Sequence, residues 1–227
     1  MKKAIIFGSS GFVGSHLLSE LLNSSDYAQV TAVVRKKLSI SHPKLNTVIG
    51  DYGSLRELEA DLSADEIFIA LGTTRKSSPD KATYYQVDHD YPVLAAQIAK
   101  ARGAKSVFVV TAVGANPASR IFYTRTKGET ERDIIALDFE HTHIFRPSMI
   151  TGNRQEKRPL EGVMIGIWSA IDPLLVGKAD RYKGISGQDI AKAMRISAIH
   201  QSQKSTIYHW REMNDLIRGC TAPCQAG

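Results

Sequence analysis

The chain has 227 residues, of which 43% are hydrophobic and 23% charged, and this balance excludes a disordered protein. The formal net charge of +6 favours anionic partners. Because the basic residues are dispersed and not interleaved with aromatic ones, we expect a phosphorylated small molecule and no nucleic acid. No apolar run approaches the roughly 20 residues that span a bilayer. The apolar run after Met1-Lys2-Lys3 is too short for a secretory signal, so we expect a cytoplasmic location.

A glycine-rich turn near the amino terminus gives the strongest signal. The apolar run Ala4-Ile5-Ile6-Phe7 leads directly into Gly8-Ser9-Ser10-Gly11-Phe12-Val13-Gly14, after which leucines recur at helical spacing. A buried strand, a tight turn and a helix in this order form a backbone cradle for the pyrophosphate of a dinucleotide. The cofactor contacts predicted in this turn are Gly8, Ser10, Gly11, Phe12, Val13 and Gly14.

Short apolar segments then alternate with amphipathic ones. Further strands are predicted at residues 29–34, 46–49, 66–70, 106–110 and 141–145, and the clearest helices at 84–101 and 121–137. This alternation predicts an α/β fold, a doubly wound parallel sheet covered on both faces. It ends after Pro147. We therefore expect one domain over residues 1–215, with a cofactor core at 1–150, a smaller substrate cap at 151–215 on the carboxyl edge of the sheet, and a tail at 216–227.

The residues after the second predicted strand bear on the choice of cofactor. A site that prefers NAD(H) usually offers a carboxylate there, which bonds the ribose 2′-hydroxyl. This chain instead has Arg35-Lys36-Lys37, and a guanidinium can bind a 2′-phosphate through two hydrogen bonds. The alternative is a basic turn without a ligand. We predict that Arg35 and Lys36 contact the cofactor and that NADP(H) is favoured over NAD(H).

Two more strand ends supply candidate cofactor contacts. Asp51 and Tyr52 follow the third predicted strand, where a carboxylate could accept from the adenine amino group and the Tyr52 ring could pack beside the base. Asp51 could equally cap a helix that starts near Ser54. A glycine and two hydroxyls after the fourth strand, in Gly72-Thr73-Thr74, suit the cofactor ribose, although they are also ordinary turn residues. The contacts predicted there are Ala70, Leu71, Gly72 and Thr73.

Tyr123 and Lys127 are the candidates for chemistry. Four residues apart on a predicted helix, they share one face. A free tyrosine titrates near pH 10, and a nearby ammonium lowers that pKa. Such pairs also occur by chance, so their context matters. Thr111 ends the fifth predicted strand, and we expect its hydroxyl to meet the Tyr/Lys pair above the sheet.

Taken in order, these motifs resemble the short-chain dehydrogenase/reductase superfamily, and within it the atypical, Tat-interacting-protein-like oxidoreductases. The resemblance extends from Lys3 to about His200. It depends on the three glycines, Leu71-Gly72-Thr73-Thr74, Tyr123-x-x-x-Lys127-Gly128-Glu129, Phe145-Arg146-Pro147, Asn153-Arg154-Gln155-Glu156 and Arg158-Pro159.

The resemblance implies a Rossmann fold, NADP(H), and hydride transfer between the nicotinamide and a carbonyl/alcohol pair. It implies that Tyr123 protonates the carbonyl oxygen, that Lys127 holds the nicotinamide ribose and lowers the pKa of Tyr123, and that Thr111 polarises the carbonyl. The family usually has serine at one or both positions after the fifth strand, where this chain has Thr111-Ala112. If the active hydroxyl belongs at position 112, it is missing here.

Other functions stay open from the sequence. A cofactor-binding regulator with little turnover would need the glycine turn but not Tyr123, and a lyase or epimerase would use the nicotinamide only transiently. The expected partner is a small-molecule substrate, and a homodimer or a protein partner is also open. The apolar stripe at residues 160–175 has helical spacing and fits a core helix, a lid over a hydrophobic substrate, a membrane-surface contact or a dimer interface. Cys220 and Cys224 alone do not make a zinc site, and we predict no metal.

Overall fold

A computed structural model describes residues 1–73, 78, 80–152 and 175–221. The strands are β1 (Lys2–Phe7), β2 (Tyr27–Val34), β3 (Leu45–Ile49), β4 (Glu66–Ile69), β5 (Ser106–Val110), β6 (His141–Phe145), β7 (Ile150–Thr151), β8 (Ile185–Ser186) and β9 (Ser205–Tyr208). The helices are α1 (Phe12–Asn23), α2 (Lys81–Tyr85), α3 (Tyr91–Ala101), α4 (Phe122–Ala136), α5 (Gly187–Ile199) and α6 (Trp210–Thr221). A π-helical segment, Gln86–Asp90, joins α2 to α3, and 3₁₀ turns occupy Glu59–Asp61 and Gly177–Tyr182.

Seven of these strands form one parallel sheet in the order β3-β2-β1-β4-β5-β6-β9, while β7 and β8 form a small parallel pair. From β1 the chain adds β2 and β3 on one side of the sheet and then returns to add β4 and the later strands on the other side. The order of the strands therefore reverses between the neighbouring strands β1 and β4. In open parallel sheets, ligands bind beyond the carboxyl ends of the strands at such a reversal. The predicted fold class, a doubly wound Rossmann sheet, is therefore confirmed.

Strand β1 is buried on both faces because alternate side chains enter two different cores. Ala4 and Ile6 belong to the core that α1 and α5 cover, and Ile5 and Phe7 belong to the core that α3 covers. All four side chains are 1% exposed or less. The uninterrupted apolar run at the start of the sequence is thus the signature of a central strand in a three-layer fold.

The six predicted strands form within two residues of their predicted bounds, but the seventh was missed. Strand β9 carries three hydroxyl side chains, Ser205, Thr206 and Tyr208, and is largely exposed at the sheet edge, so it lacks the apolar run that marks the others. It pairs with β6, and α5 packs with α1 in the same core. Much of the region that the sequence assigned to a cap therefore completes the central layers, and the predicted tail is helical as far as Thr221.

Some of the sequence predictions concern residues that the structure does not describe. Residues 153–174, which hold most of the predicted apolar stripe, lie outside the described residues, as does Cys224. Across the parts of the chain that the structure describes, no helix is long and apolar enough to cross a membrane, and no three His, Cys, Asp or Glu side chains are grouped as metal ligands.

A buried histidine on β6 lies between aromatic rings on β5 and β9. His143 is 1% exposed, stacks on Phe108 at 4.6 Å between ring centroids, and places Nδ1 2.8 Å from the Tyr208 hydroxyl. Burial, with a smaller contribution from His141, lowers the pKa of His143 from 6.5 to about 4. The folded protein therefore resists a proton that the unfolded chain accepts.

This histidine predicts acid-sensitive stability. Because the unfolded chain binds more protons between pH 6.5 and about 4, the free energy of unfolding should fall as the pH falls through that window, by roughly 3 kcal/mol in total. His143→Phe keeps the ring stack and removes the titrating group. Urea unfolding at intervals from pH 7.5 to 4.5 should give a flatter profile for this variant than for the wild type. His200→Gln, which removes an exposed histidine at the end of α5, is the control, and parallel profiles for wild type and His143→Phe would contradict the assignment.

Candidate nucleotide-binding and catalytic site

The glycine-rich turn forms a close backbone contact between β1, β4 and α1. Gly8 has φ +85°, and a Cβ there would lie 2.4 Å from the carbonyl oxygen of Ala70. A Cβ at Gly14 would lie 2.0 Å from the carbonyl oxygen of Gly8. The Gly11 N–H donates to that same oxygen at 2.9 Å. Side chains at positions 8 and 14 are thus excluded by backbone, which leaves the first turn of α1 directly above the strand ends.

The turn also fits a phosphate group. Ser9 is 2% exposed, and its Oγ has no hydrogen-bond partner among the described residues. A buried hydroxyl without a partner is unfavourable unless a ligand or water supplies one. Together with the start of the twelve-residue helix α1, this arrangement suits the pyrophosphate of a dinucleotide.

The other predicted residues of this turn have different surroundings. Ser10 is exposed, and the Val13 side chain is buried in the core. The Phe12 ring packs on the backbone of Gly152 and Gly187, where an added Cβ would lie 2.7 Å from the ring in each case. Phe12 therefore links the turn to the β7–β8 pair.

The ends of β2 and β3 converge on Tyr91 at the start of α3. Burial raises the pKa of Tyr91, the charge of Asp51 raises it further, and the charge of Arg35 lowers it, so both charged side chains lie near this phenol. Tyr52 packs edge-on against Tyr91 at 5.9 Å between ring centroids. The structure thus brings Arg35, Asp51 and Tyr52 together, as a site for the adenosine half of a dinucleotide requires.

The alternative interpretation of Asp51 was a cap on a helix that starts near Ser54, but residues 52–58 form turns, and Asp51 bonds to Ser54 within such a turn. Its carboxylate accepts from the backbone N–H of Ser54 at 3.1 Å, and the Ser54 hydroxyl accepts from the Asp51 N–H at 2.9 Å. These hydrogen bonds with Ser54 lower the pKa of Asp51. Arg35 and Lys36 are exposed, and within the described ranges neither forms a side-chain hydrogen bond or ion pair.

Lys127 is buried at the carboxyl end of β4. Its side chain is 7% exposed, and Nζ lies 2.6 Å from Oδ1 of Asp88. The other Asp88 oxygen accepts from the Thr73 N–H at 2.8 Å. A Cβ at Gly72 would lie 3.8 Å from both Lys127 Nζ and Asp88 Oδ1. The predicted ribose-lining residues and Lys127 therefore share one small region.

Tyr123 lies one helical turn before Lys127, at the open side of this region. Its side chain is 45% exposed. Desolvation raises the pKa of Tyr123, the Lys127 ammonium lowers it, and the Asp88 carboxylate raises it. The net direction is upward, opposite to the lowering that the sequence predicted. The ammonium is present as expected, but a carboxylate that the sequence analysis did not assign lies beside it.

Thr111 directly follows β5, and its side chain meets α4 beyond Tyr123 and Lys127, at Glu131. Its hydroxyl donates to Oε1 of Glu131 at 2.5 Å, and Glu131 binds Arg146 through two hydrogen bonds of 2.9 and 2.5 Å. Glu131 is eight residues beyond Tyr123, about 12 Å along the helix axis. The structure thus groups Thr111 with a buried ion pair and not with Tyr123. Ala112, the neighbouring position, offers no hydroxyl.

Two functional candidates, Asp88 and Glu131, were missed from the sequence. Asp88 sits in the π-helical segment, where the 3.6-residue periodicity that aligns helix faces is lost. Glu131 shares a face with Lys127, four residues earlier, and this spacing could have identified it. Both carboxylates are buried, at 1% and 4% exposure, which is unusual unless a cation is paired with them.

Comparison with known proteins agrees with this geometry. A family model described as NAD(P)H-binding matches residues 8–164. The chain belongs to the NAD(P)H-binding family. This match and the relatives below confirm the predicted resemblance to atypical, NAD(P)-binding proteins of the short-chain dehydrogenase/reductase kind.

The chain is also similar to curated fungal proteins. It is 32% identical over 152 residues to "Protein FMP52, mitochondrial" of Eremothecium gossypii, a match that covers 67% of this chain and 68% of the relative. It is 37% identical over 171 residues to the protein of the same name in Aspergillus fumigatus, covering 72% and 73%. The expectation of a cytoplasmic location is wrong by this comparison, because these relatives are named mitochondrial.

Solved structures share its fold. MoeE5 in complex with UDP-glucose and NAD superposes with a TM-score of 0.68 at 20% identity, covering 96% of this chain and 82% of MoeE5. UDP-N-acetylglucosamine 4-epimerase from Methanobrevibacter ruminantium superposes with a TM-score of 0.69 at 21% identity, covering 92% and 76%. At these identities the likeness establishes the Rossmann architecture alone.

The glycine turn predicts a sharp effect of one methyl group. Gly14→Ala places a Cβ against the Gly8 carbonyl, so α1 must move away from β1, at a cost of about 1–3 kcal/mol in unfolding free energy. We expect the dissociation constant for NADPH, measured by fluorescence titration, to rise at least tenfold. Gly219→Ala on α6 is the matched control, since a Cβ there meets no atom of the described residues within 4 Å. Wild-type affinity in Gly14→Ala would show that the nucleotide binds elsewhere.

Proposed function

We propose that this protein is an NADP(H)-dependent oxidoreductase that transfers hydride between nicotinamide and a small, hydrophobic carbonyl or alcohol. The observation that carries the proposal is the placement of Lys127 and Tyr123. One is buried beside the β4 strand end, and the other is exposed one turn away at the mouth of the same region. A cation that can hold a ribose next to a proton donor open to substrate is the arrangement that this reaction requires.

Each part of the dinucleotide has residues that fit it. The turn from Gly8 to Gly14 would hold the pyrophosphate, and Arg35, Lys36, Asp51 and Tyr52 the adenosine half. Lys127 and the backbone of residues 70–73 would hold the nicotinamide ribose. When bound, the dihydronicotinamide supplies the hydride that adds to the carbonyl carbon.

Tyr123 would complete the reduction. As the carbonyl carbon gains a hydride, its oxygen takes the phenol proton, which gives the alcohol, and the phenolate regains a proton from solvent. The side chain is exposed enough to touch a substrate and to exchange with water. Ile121, 65% exposed on the turn before, adds apolar surface beside the entrance, which supports a hydrophobic substrate.

Thr111 was predicted to polarise the carbonyl. A hydroxyl donates one hydrogen bond, and here that donation goes to Glu131. A bond from Thr111 to a substrate oxygen therefore requires the hydroxyl to turn away from a buried carboxylate. This observation favours a second candidate function, an NADP(H)-binding regulatory or redox-sensing protein with little or no turnover. The names of the relatives support a mitochondrial place of action for either function.

The role of Tyr123 predicts a loss of rate without a loss of binding. Purified protein should consume NADPH with some member of a panel of aldehydes, ketones and quinones. Tyr123→Phe should lower kcat by about 10²–10⁴, because the proton donor is gone, and should leave the dissociation constant for NADPH unchanged. Tyr85→Phe is the control, since that ring stacks on His89 away from Lys127. Tight NADPH binding with no turnover across the panel would favour the regulator instead.

The basic turn predicts cofactor preference. Arg35→Ala should raise the dissociation constant for NADPH roughly tenfold, by loss of a charge-assisted contact to the 2′-phosphate, and should change that for NADH less than about twofold. Arg102→Ala removes the same charge at the exposed end of α3 and should affect neither. Equal losses for both nucleotides in Arg35→Ala would remove the support for NADP(H) specificity.

A further inference from the structure

Asp88 is a buried carboxylate that the proposed reaction does not use directly. It is 1% exposed and receives the Lys127 ammonium at 2.6 Å and the Thr73 N–H at 2.8 Å. Tyr84 lies near Asp88, and burial together with the charge of that carboxylate raises the pKa of Tyr84. Two donors, the Lys127 ammonium and the Thr73 N–H, thus bind the carboxylate and compensate for the cost of burying its charge.

The backbone around Asp88 is fixed to the helix that carries Tyr123. The carbonyl oxygen of Asp88 accepts from the Thr130 hydroxyl on α4 at 2.8 Å. The π-helical segment Gln86–Asp90 places this residue toward α4 between two ordinary helices, and such segments occur often at functional sites. Asp88 is therefore held in position from both its backbone and its side chain.

This pairing changes what Lys127 does to Tyr123. The titratable groups that act on the Tyr123 phenol from the described elements are Lys127 on α4, Asp88 on the π-helical segment and Tyr84 on α2. An unpaired ammonium one turn away would favour the phenolate. Here a carboxylate 2.6 Å from the ammonium offsets its charge, and the phenol is also desolvated.

We propose that Asp88 is a positioning residue that binds the Lys127 ammonium, keeps Tyr123 protonated and so suits the site to carbonyl reduction rather than alcohol oxidation. Reduction takes up one hydride and one proton and therefore needs the phenol, whereas oxidation releases both and needs the phenolate to accept the proton. The inference rests on the proposed function for its direction of reaction. Its electrostatic part concerns only the residues of this chain and is measurable without a substrate.

The first measurement is made on the wild-type protein. With tyrosine labelled at the Cζ carbon, each ring gives a resonance that moves when its phenol ionises, and Tyr123→Phe identifies the one that belongs to Tyr123. The expected result is that Tyr123 ionises at higher pH than a free tyrosine, whose pKa is near 10. Ionisation at or below that ordinary value would overturn the proposal.

The second measurement removes the carboxylate. Asp88→Asn keeps the shape of the side chain and should lower the pKa of Tyr123 by about one unit or more, because the ammonium is then uncompensated. Asp133→Asn is the matched control on α4, where the carboxylate binds His89 and Arg132, and it should leave the Tyr123 titration unchanged. An unchanged titration in folded Asp88→Asn, or an equal change in both variants, would overturn the proposal.

A third variant covers the case in which Asp88→Asn does not fold, as judged by circular dichroism. Lys127→Met removes the ammonium and leaves the carboxylate, so the ionisation of Tyr123 should move to still higher pH. Movement to lower pH would contradict the proposed balance of charges.

The outcomes separate this inference from the proposed function. If the titrations behave as expected and no carbonyl is reduced, the oxidoreductase proposal fails while the Asp88 electrostatics stand. If a carbonyl is reduced and Asp88→Asn leaves the Tyr123 titration unchanged, the oxidoreductase proposal stands and the proposed role of Asp88 fails. With a substrate identified, Asp88→Asn should raise kcat for alcohol oxidation relative to kcat for carbonyl reduction at pH 7.5. An unchanged ratio of these two kcat values would contradict the assignment of direction.

Discussion

The absence of a side chain at position 14 is the constraint on which the site depends. Only hydrogen at this position lets the first turn of α1 rest on the Gly8 carbonyl, and only a positive φ at Gly8 lets the chain turn from β1 into that helix. The same contact brings the end of β4 against the turn, since a Cβ at Gly8 would also meet Ala70. Everything placed at the carboxyl edge of the sheet is positioned relative to this backbone contact.

Buried charge defines the other side of the site. Helix α4 presents Lys127 to Asp88 and, one turn later, Glu131 to Arg146. Each pair is buried enough that removing one partner leaves an uncompensated charge, a loss of about 3–5 kcal/mol. Fixed in this way, α4 holds Tyr123 steady at its first turn while the phenol stays accessible. The stability of the helix and the electrostatics of the candidate site therefore share the same residues.

The loop before α4 is constrained because it packs directly against the backbone of that helix. A Cβ at Gly128 would lie 2.2 Å from the Asn116 carbonyl carbon, so the loop crosses α4 in direct backbone contact. The Asn116 N–H donates to the Thr124 carbonyl at 3.0 Å. Packing thus requires a glycine at position 128, directly after Lys127 in the sequence motif. This glycine lets the segment after β5 lie over the helix that carries Tyr123.

The sequence by itself determined the central sheet, because strands buried on both faces must be continuously apolar and the glycine turn has few alternatives. It also identified the Tyr123/Lys127 pair, since helical spacing fixes which residues share a face. It missed β9, whose hydroxyl-rich edge strand looks like a loop, and Asp88, which a π-helical segment takes out of the helical register. Only the tertiary structure decided which charged and polar groups meet. It pairs the Asp88 carboxylate with Lys127 and the Glu131 carboxylate with the Thr111 hydroxyl. Those contacts join residues 39 and 20 positions apart in the chain, and no local pattern records a distance of that kind.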